Sequence, residues 1–348
     1  MRIRGLRTLR RIARRIKKGP GRKALILLYH RVADVSSDPW SLCVTPQRFA
    51  EHLEVLQKHT QPVPLQQLVQ ALHSGHLQDK TVVVTFDDGY VDNLLNAKPL
   101  LERYTIPATV FLSTGYIGNT REFWWDELDR LLLQPGILPN KLSLKINGDV
   151  CQYELGESSK YTEEAFRRYR YWTAWGEDIP SMRHSLYRSL YHQLHPLPEK
   201  EQQSVLNELL IWAGAEPVSR HTYRPLSYHE VHALVQGGII EVGAHTVTHP
   251  ILSVLSSDNQ QDEIRQSKND IERVLGCSPV SFAYPYGREC DYTAGTSGIV
   301  REAGFHCACS NFFSVVRQDT DYFQLPRIQM KDWSGKEFSR HLSEWFAL

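Results

Sequence analysis

Thr81-Val-Val-Val-Thr-Phe-Asp-Asp-Gly-Tyr90 decides how this chain reads. Three β-branched valines and a threonine predict a short, fully apolar strand. The strand ends in two adjacent carboxylates and a glycine. Successive strand side chains point to opposite faces, but Gly89 permits a sharp turn, so Asp87 and Asp88 can reach one site in different roles. Two carboxylates held close need a compensating cation, or one takes a proton. A second stretch offers further ligands for such a cation. His245-Thr-Val-Thr-His249-Pro250 follows another apolar run, residues 238–243. Imidazoles four residues apart share a face if the segment turns helically. With one carboxylate they make an Asp-His-His set, suited to a catalytic divalent metal with an open position for water. Alone, the aspartates could cap the next helix and the histidines could be polar loop residues. Both motifs at strand ends favour the metal site.

The chain has 348 residues, enough for one large α/β domain or two smaller ones. Net charge is +1 but unevenly placed. Residues 1–23 carry eleven Lys and Arg and no acid, which leaves 29 basic against 39 acidic residues, a net of about −10, in the rest. An acidic body argues against nucleic acid as a partner. The six cysteines show no C-x-x-C pair and read as reduced packing thiols. No run approaches the roughly 20 apolar residues of a membrane span. The apolar run Ala24 to Tyr29 is shorter than a signal-peptide core, so a cytoplasmic protein is expected. Residues 1–18 place Ile3, Leu6, Leu9, Ile12 and Ile16 at helical steps with basic residues between. That pattern suits an amphipathic helix on an anionic membrane, at the inner face, or a solvated tail.

Along the chain, Ala24 to His30 reads as a buried strand ending in a histidine, another strand end with a catalytic residue type. Helices are expected from Thr45, over 63–72 and over 93–104, with a strand at 108–112. Strand, helix, strand in this rhythm implies parallel pairing. Residues 120–225 break the rhythm and read as a largely helical insertion. It holds Phe123-Trp-Trp-Asp-Glu127, a hairpin around Asn147-Gly148, and helices over 165–175, 181–194 and 199–214. Trp124 is the candidate for stacking on a sugar ring, and Trp125 for anchoring the insertion to the core. The alternation resumes at Ser227. Strands are expected at 280–287, 305–310 and 325–328, with a last helix over 335–346. Polar motifs thus sit at the C-terminal ends of at least four strands, where parallel α/β barrels place active sites. Eight clean βα units are not visible, so the expected fold is α/β, a distorted or incomplete (β/α) barrel with a basic segment 1–23 in front of it.

Thr85-Phe-Asp-Asp-Gly89, His245-Thr-Val-Thr-His249-Pro250 and Tyr284-Pro-Tyr-Gly287 resemble the three motifs of the polysaccharide deacetylases, the NodB-homology or carbohydrate esterase family 4 proteins. The resemblance covers about residues 24–120 and 226–340, so it implies one catalytic domain, 24–348, interrupted by the insertion. It implies a divalent metal, commonly zinc, held by Asp88, His245 and His249. It implies Asp87 as general base and the Tyr286 backbone N–H as an oxyanion donor. In most of the family the general acid is a C-terminal histidine, for which His341 is the candidate, but it sits inside a helical pattern. A subgroup resembling poly-N-acetylglucosamine deacetylases takes this histidine from an N-terminal Tyr-His strand end, which matches Tyr29-His30 and assigns the acid to His30. The family's third motif usually begins with an arginine that orients the base. Ala283 stands there instead, and Arg327, at another strand end, could reach the same carboxylate.

The expected activity is removal of N-acetyl groups from an N-acetylated saccharide, such as an exopolysaccharide, capsule or lipopolysaccharide intermediate. A different C–N substrate, a formamide or cyclic imide, would suit the same metal and base. A non-catalytic glycan-binding protein of the same fold would have no need of Asp87.

Overall fold

The computed structural model describes residues 22–348, so the basic amphipathic pattern of residues 1–18 lies outside the described residues. Seven strands make the central sheet: β1 Ala24–Tyr29, β2 Thr81–Phe86, β3 Ala108–Leu112, β4 Ile240–Ala244, β5 Ser281–Ala283, β6 Cys307–Cys309 and β7 Ile328–Gln329. Their order is β6-β5-β4-β3-β2-β1-β7, and every pair is parallel. A two-residue segment, Gln61–Pro62, also pairs with β2. The sheet curls, and a short seam brings its ends together. Leu325 bridges in parallel to Cys309 of β6, and Ile328, three residues later, pairs with Leu27 of β1. The fold is the distorted (β/α) barrel expected of the strand–helix rhythm.

The long strands are mostly apolar because both faces are covered. Leu25, Leu27, Tyr29, Val82, Val84 and Phe86 face one core, with Phe49, Leu53 and Leu56 of helix Pro46–His59 and Phe338 and Leu342 of helix Gly335–Ala347. The alternate residues Ile26, Val83, Phe111, Ala283 and Cys309 face the inside of the curl. There Leu65, Leu68, Val69 and Leu72 of helix Leu65–Ser74 pack against them. No cysteine is disulfide-bonded among the described residues, and Cys307 and Cys309 are buried in this packing.

Residues 120–225 build a further core around Phe123, Leu128, Leu132, Leu186, Leu190, Leu206 and Leu209. Helices Trp124–Leu132, Met182–Leu194 and Glu199–Ala213 supply it. The hairpin forms as read: Lys141–Ile146 pairs with Asp149–Glu154. Its turn residues Asn147 and Gly148 take φ of 54° and 91°, the positive pair that a two-residue hairpin turn demands. Two expectations fail. The helix expected over 165–175 ends at Tyr169, and the chain from Trp172 loops so that its indole N–H donates to the Asp178 carbonyl at 2.9 Å. The strand expected over 280–287 stops at Ala283, because Pro285 has no N–H to continue the ladder.

Candidate active site

Strand register sets the site. Tyr29 lies opposite Phe86, and Leu112 opposite Ala244, so His30, Asp87 and His245 leave β1, β2 and β4 along one C-terminal edge of the sheet. Val83, Thr85 and Asp87 share the inner face by the period of two, which puts the Asp87 carboxylate over the inside of the curl. Asp88 would then point away. Its backbone instead takes φ 74°, and Gly89 follows at φ 87° where a Cβ would meet Leu112 Cδ2 at 2.6 Å. This turn returns the Asp88 carboxylate to the same side. Such a left-handed aspartate costs of order 1–3 kcal/mol and persists where the surroundings enforce it.

Asp88, His245 and His249 converge. Their ligand atoms lie within 4.8 Å of one another, and all three residues are buried. His249 Nε2 is 3.3 Å from Asp88 Oδ1, and His245 Nε2 is 3.7 Å from the same atom. His245 Nδ1 is 2.8 Å from the Ala283 carbonyl oxygen, to which it donates, leaving Nε2 as a lone-pair donor aimed at the carboxylates. Burial pushes the His245 imidazole down to about 4, so it is neutral at pH 7, the form that ligates a metal. Burial raises the Asp88 carboxyl, but hydrogen bonding to His249 and the adjacent imidazoles outweigh it and leave it at about 2. Two imidazole nitrogens and an ionised oxygen donor fit a divalent cation.

The two histidines do not sit on a helical turn. Residues 245–249 form an irregular loop with Thr246 at φ 63° and His249 at φ 58°. Glu263, from helix Ser257–Leu275, holds it. One Glu263 oxygen accepts from the Val247 and Thr248 N–H groups at 2.8 and 2.9 Å, and the other from the Thr248 hydroxyl at 2.7 Å. From the opposite side the Gly115 N–H donates to the Val247 carbonyl at 2.9 Å, an approach where a Cβ on Gly115 would stand 2.8 Å from that oxygen.

Asp87 is held separately. Arg327 donates Nη1 to Asp87 Oδ1 and Nη2 to Oδ2, both at 2.7 Å, and Nε to the Ser310 carbonyl at 2.8 Å. Arg327 reaches this point because it lies on the seam between β6 and β1. Burial raises the Asp87 carboxyl, but the Arg327 charge, the neighbouring His245 and the paired hydrogen bonds outweigh it and keep it below the usual carboxylate range. Asp87 Oδ2 is 3.8 Å from His245 Nε2.

A cavity of about 370 Å³ opens over these groups, lined by Asp87, Asp88, His245, His249, His30 and Tyr286 among others. Arg327 is 1% exposed and stands behind Asp87, so it is a partner of the carboxylate and not a substrate contact. The two tryptophans are placed the other way round from the expectation of an exposed Trp124 and an anchoring Trp125. Trp124 is 1% exposed in the insertion core and does not line the cavity, whereas Trp125 does. The Trp125 ring lies 5.0 Å from that of His249, and its Nε1–H donates to the Tyr90 hydroxyl at 2.8 Å, which in turn donates to Asp126 at 2.6 Å. Tyr286 takes φ 58°, and its N–H donates to no backbone carbonyl among the described residues. His341 lies on the terminal helix against Trp333 and Trp345, not in the cavity.

Comparison with known proteins follows the same lines. The polysaccharide deacetylase family model matches residues 74–137 and 214–308. Over these two segments, a little under half of its length, the chain is similar to the polysaccharide deacetylases. Asp87, Asp88, His245, His249 and Tyr286 fall inside the matched segments; His30 and Arg327 fall outside both. The chain is 34% identical over 110 residues to the poly-β-1,6-N-acetyl-D-glucosamine N-deacetylase of Staphylococcus epidermidis, a stretch that is 28% of this chain and 38% of that protein. Matches to curated relatives span 38–56% of the relatives' own lengths. Among solved structures, the Streptococcus pyogenes deacetylase PplD in complex with acetate aligns with 92% of this chain and 99% of its own, at 18% identity and a TM-score of 0.57. IcaB from Ammonifex degensii aligns with 94% and 98%, again at 18% identity and 0.57. These likenesses show that the chain shares their fold.

Proposed function

We propose that this protein is a metal-dependent N-deacetylase that hydrolyses the acetamide of an N-acetylated saccharide, releasing acetate and leaving an amine. One observation carries the reading: a buried Asp-His-His set stands beside a second carboxylate that has its own arginine. A binding site would need the first feature and not the second. The two-imidazole, one-carboxylate donor set suits zinc. When bound, the metal would polarise the amide carbonyl and acidify water.

The chain's own groups supply the rest. Asp87, kept ionised by Arg327, takes a proton from the attacking water as its oxygen bonds to the carbonyl carbon. The Tyr286 N–H donates to the carbonyl oxygen as negative charge grows there. His30, whose strand neighbours that of Asp87, gives a proton to the nitrogen as the C–N bond breaks. Its backbone is fixed by Asn93 Nδ2, which donates to the His30 carbonyl at 2.9 Å. Loss of the acetyl group turns a neutral amide into a cation, a change suited to exopolysaccharide, capsule or lipopolysaccharide synthesis.

The test is acetate release from a panel of N-acetylated saccharides by protein stripped of metal with a chelator and then reconstituted with zinc. Release that disappears on stripping and returns with zinc is expected. Release undiminished after full stripping would refute the metal-dependent reading, and no release from any member would refute the deacetylase.

A further inference from the structure

Tyr286, whose N–H meets the carbonyl oxygen in the reaction proposed above, stands in a strained turn. The Gly287 N–H donates to the Pro285 carbonyl at 2.6 Å, which closes a three-residue γ-turn with Tyr286 at its centre and φ 58°. A γ-turn of positive φ is rare, and it persists only where the surroundings enforce it. On the backbone side the Asn311 N–H donates to the Gly287 carbonyl at 2.7 Å. On the other side only the Tyr286 ring can be gripped. Its hydroxyl is buried with no partner at hydrogen-bond distance among the described residues, so packing holds the ring.

That ring lies between two histidines. His249 stands edge-on to it at 4.6 Å between centroids, and His195 edge-on at 4.1 Å. His249 belongs to the Asp-His-His set, and Glu263 fixes its loop. His195 comes from the insertion, between the two segments that resemble the deacetylases. It follows helix Met182–Leu194, and its N–H still donates to the Tyr191 carbonyl at 2.9 Å. Leu194 before it is buried, and Gln202 Nε2 donates to the Leu194 carbonyl at 3.0 Å. Tyr191 stacks with His195 at 5.5 Å, Trp40 meets Tyr191 at 3.8 Å, and Trp175 stands edge-on to Trp40 at 5.0 Å, so a wall of rings backs the imidazole. Burial pushes His195 down to about 4, so at pH 7 it meets Tyr286 as a neutral ring and brings no charge beside the cation site.

We infer that His195 is a positioning residue for the reaction: through this imidazole the insertion clamps the Tyr286 ring against His249 and so fixes the direction of the Tyr286 N–H. This rests on the deacetylase reading, in which that N–H donates to the carbonyl oxygen. A donor aimed at charge that grows only in the transition state acts on kcat and leaves substrate binding alone. The insertion then belongs to the catalytic scaffold, although its residues touch none of the reacting atoms.

The test compares zinc-loaded His195→Ala and His195→Phe with the wild type, each as the full chain. Loss of a whole oxyanion donor costs about 10²–10³ in kcat, and a misplaced donor costs less. In His195→Ala, kcat and kcat/KM for acetate release should fall together by about ten- to hundredfold, with KM and zinc content unchanged. His195→Phe keeps an edge-on ring and should restore most of the rate. A raised KM at unchanged kcat would make His195 a substrate contact, and zinc lost from His195→Ala would place the effect on His249. Either result would overturn the clamp, as would a His195→Phe no faster than His195→Ala. Selective ¹⁵N-tyrosine labelling reads the same point without turnover. The Tyr286 amide, identified by its absence in Tyr286→Phe, should have an order parameter near the rigid-backbone value of about 0.85 in the wild type, fall in His195→Ala and recover in His195→Phe. That pattern without acetate release by the wild type would contradict the deacetylase and leave the clamp standing. Acetate release with kcat and the Tyr286 amide both unmoved by His195→Ala would do the reverse.

Discussion

Removing the Arg327 guanidinium should move the pH dependence of the reaction in a calculable direction. Asp87 and Arg327 are both buried and joined by two hydrogen bonds of 2.7 Å. At an effective dielectric of about 20, opposite unit charges about 4 Å apart attract by roughly 4 kcal/mol, which bounds the effect near three pH units. A neighbouring arginine commonly lowers a carboxyl by about 1–3 units. In Arg327→Ala, burial remains and its compensation is gone, so the Asp87 carboxyl should rise by that much. The sign follows: the base must be ionised, so the acid limb of kcat/KM shifts upward by about 1–3 units, with activity lost first at low pH and partly recovered at high pH. Linkage gives a matching stability effect. A depressed folded value stabilises the protein above the unfolded carboxyl value, and that stability is lost as pH falls through the folded value. Stranding the carboxylate should cost about 3–5 kcal/mol near neutrality. The assay is a pH–rate profile on an N-acetylated saccharide, with urea unfolding to confirm that the variant is native. A folded Arg327→Ala with an unmoved acid limb would refute the pairing as the reason Asp87 stays ionised.

Three further outcomes follow from the geometry. Glu263→Ala removes three hydrogen bonds from the histidine loop and should weaken zinc affinity about 10- to 100-fold; unchanged affinity in a zinc titration would contradict its supporting part. Tyr90→Phe strands the buried Trp125 N–H and Asp126 carboxyl, so urea unfolding should show a loss of about 1–3 kcal/mol, and no loss would mean that water or repacking replaces the hydroxyl. Glu230 closes the capping box of helix Tyr228–Val235 and pairs with Arg224, and hydrogen bonding to Arg224 chiefly holds it at about 2. Because the pair lies at the surface and is partly open to solvent, Glu230→Gln should cost only about 1 kcal/mol at pH 7, shrinking as pH falls from about 4 towards 2; a cost that grows in acid would reverse the assigned sign.

What the chain disclosed before folding, and what it hid, has a physical pattern. The Asp pair was legible because a β-branched run, a period of two and a glycine place both carboxylates without reference to anything distant. Arg327 was legible as a strand-end cation near the base, although its burial behind Asp87 depends on the seam between β6 and β1. The spacing of His245 and His249 suggested convergence for the wrong geometric reason. Two left-handed residues and Glu263 bring the rings together, and one acid among many on a charged helix carries no local mark of that task. That Trp125 and not Trp124 lines the cavity was hidden because neighbours on a helix point about 100° apart, and only packing decides which one turns inward. Trp40, Tyr191 and Trp175 come from three separate segments with no shared periodicity, so nothing short of the fold joins them into a wall.

The most direct measurement is acetate release by zinc-reconstituted wild type and Asp87→Asn, with zinc content determined on the same samples. The account predicts equal zinc in both proteins, release by the wild type, and a loss of about 10²–10⁴-fold in the variant, the range expected for removing a general base. Equal zinc with undiminished release by Asp87→Asn would show that the Arg327-paired carboxylate is not the base.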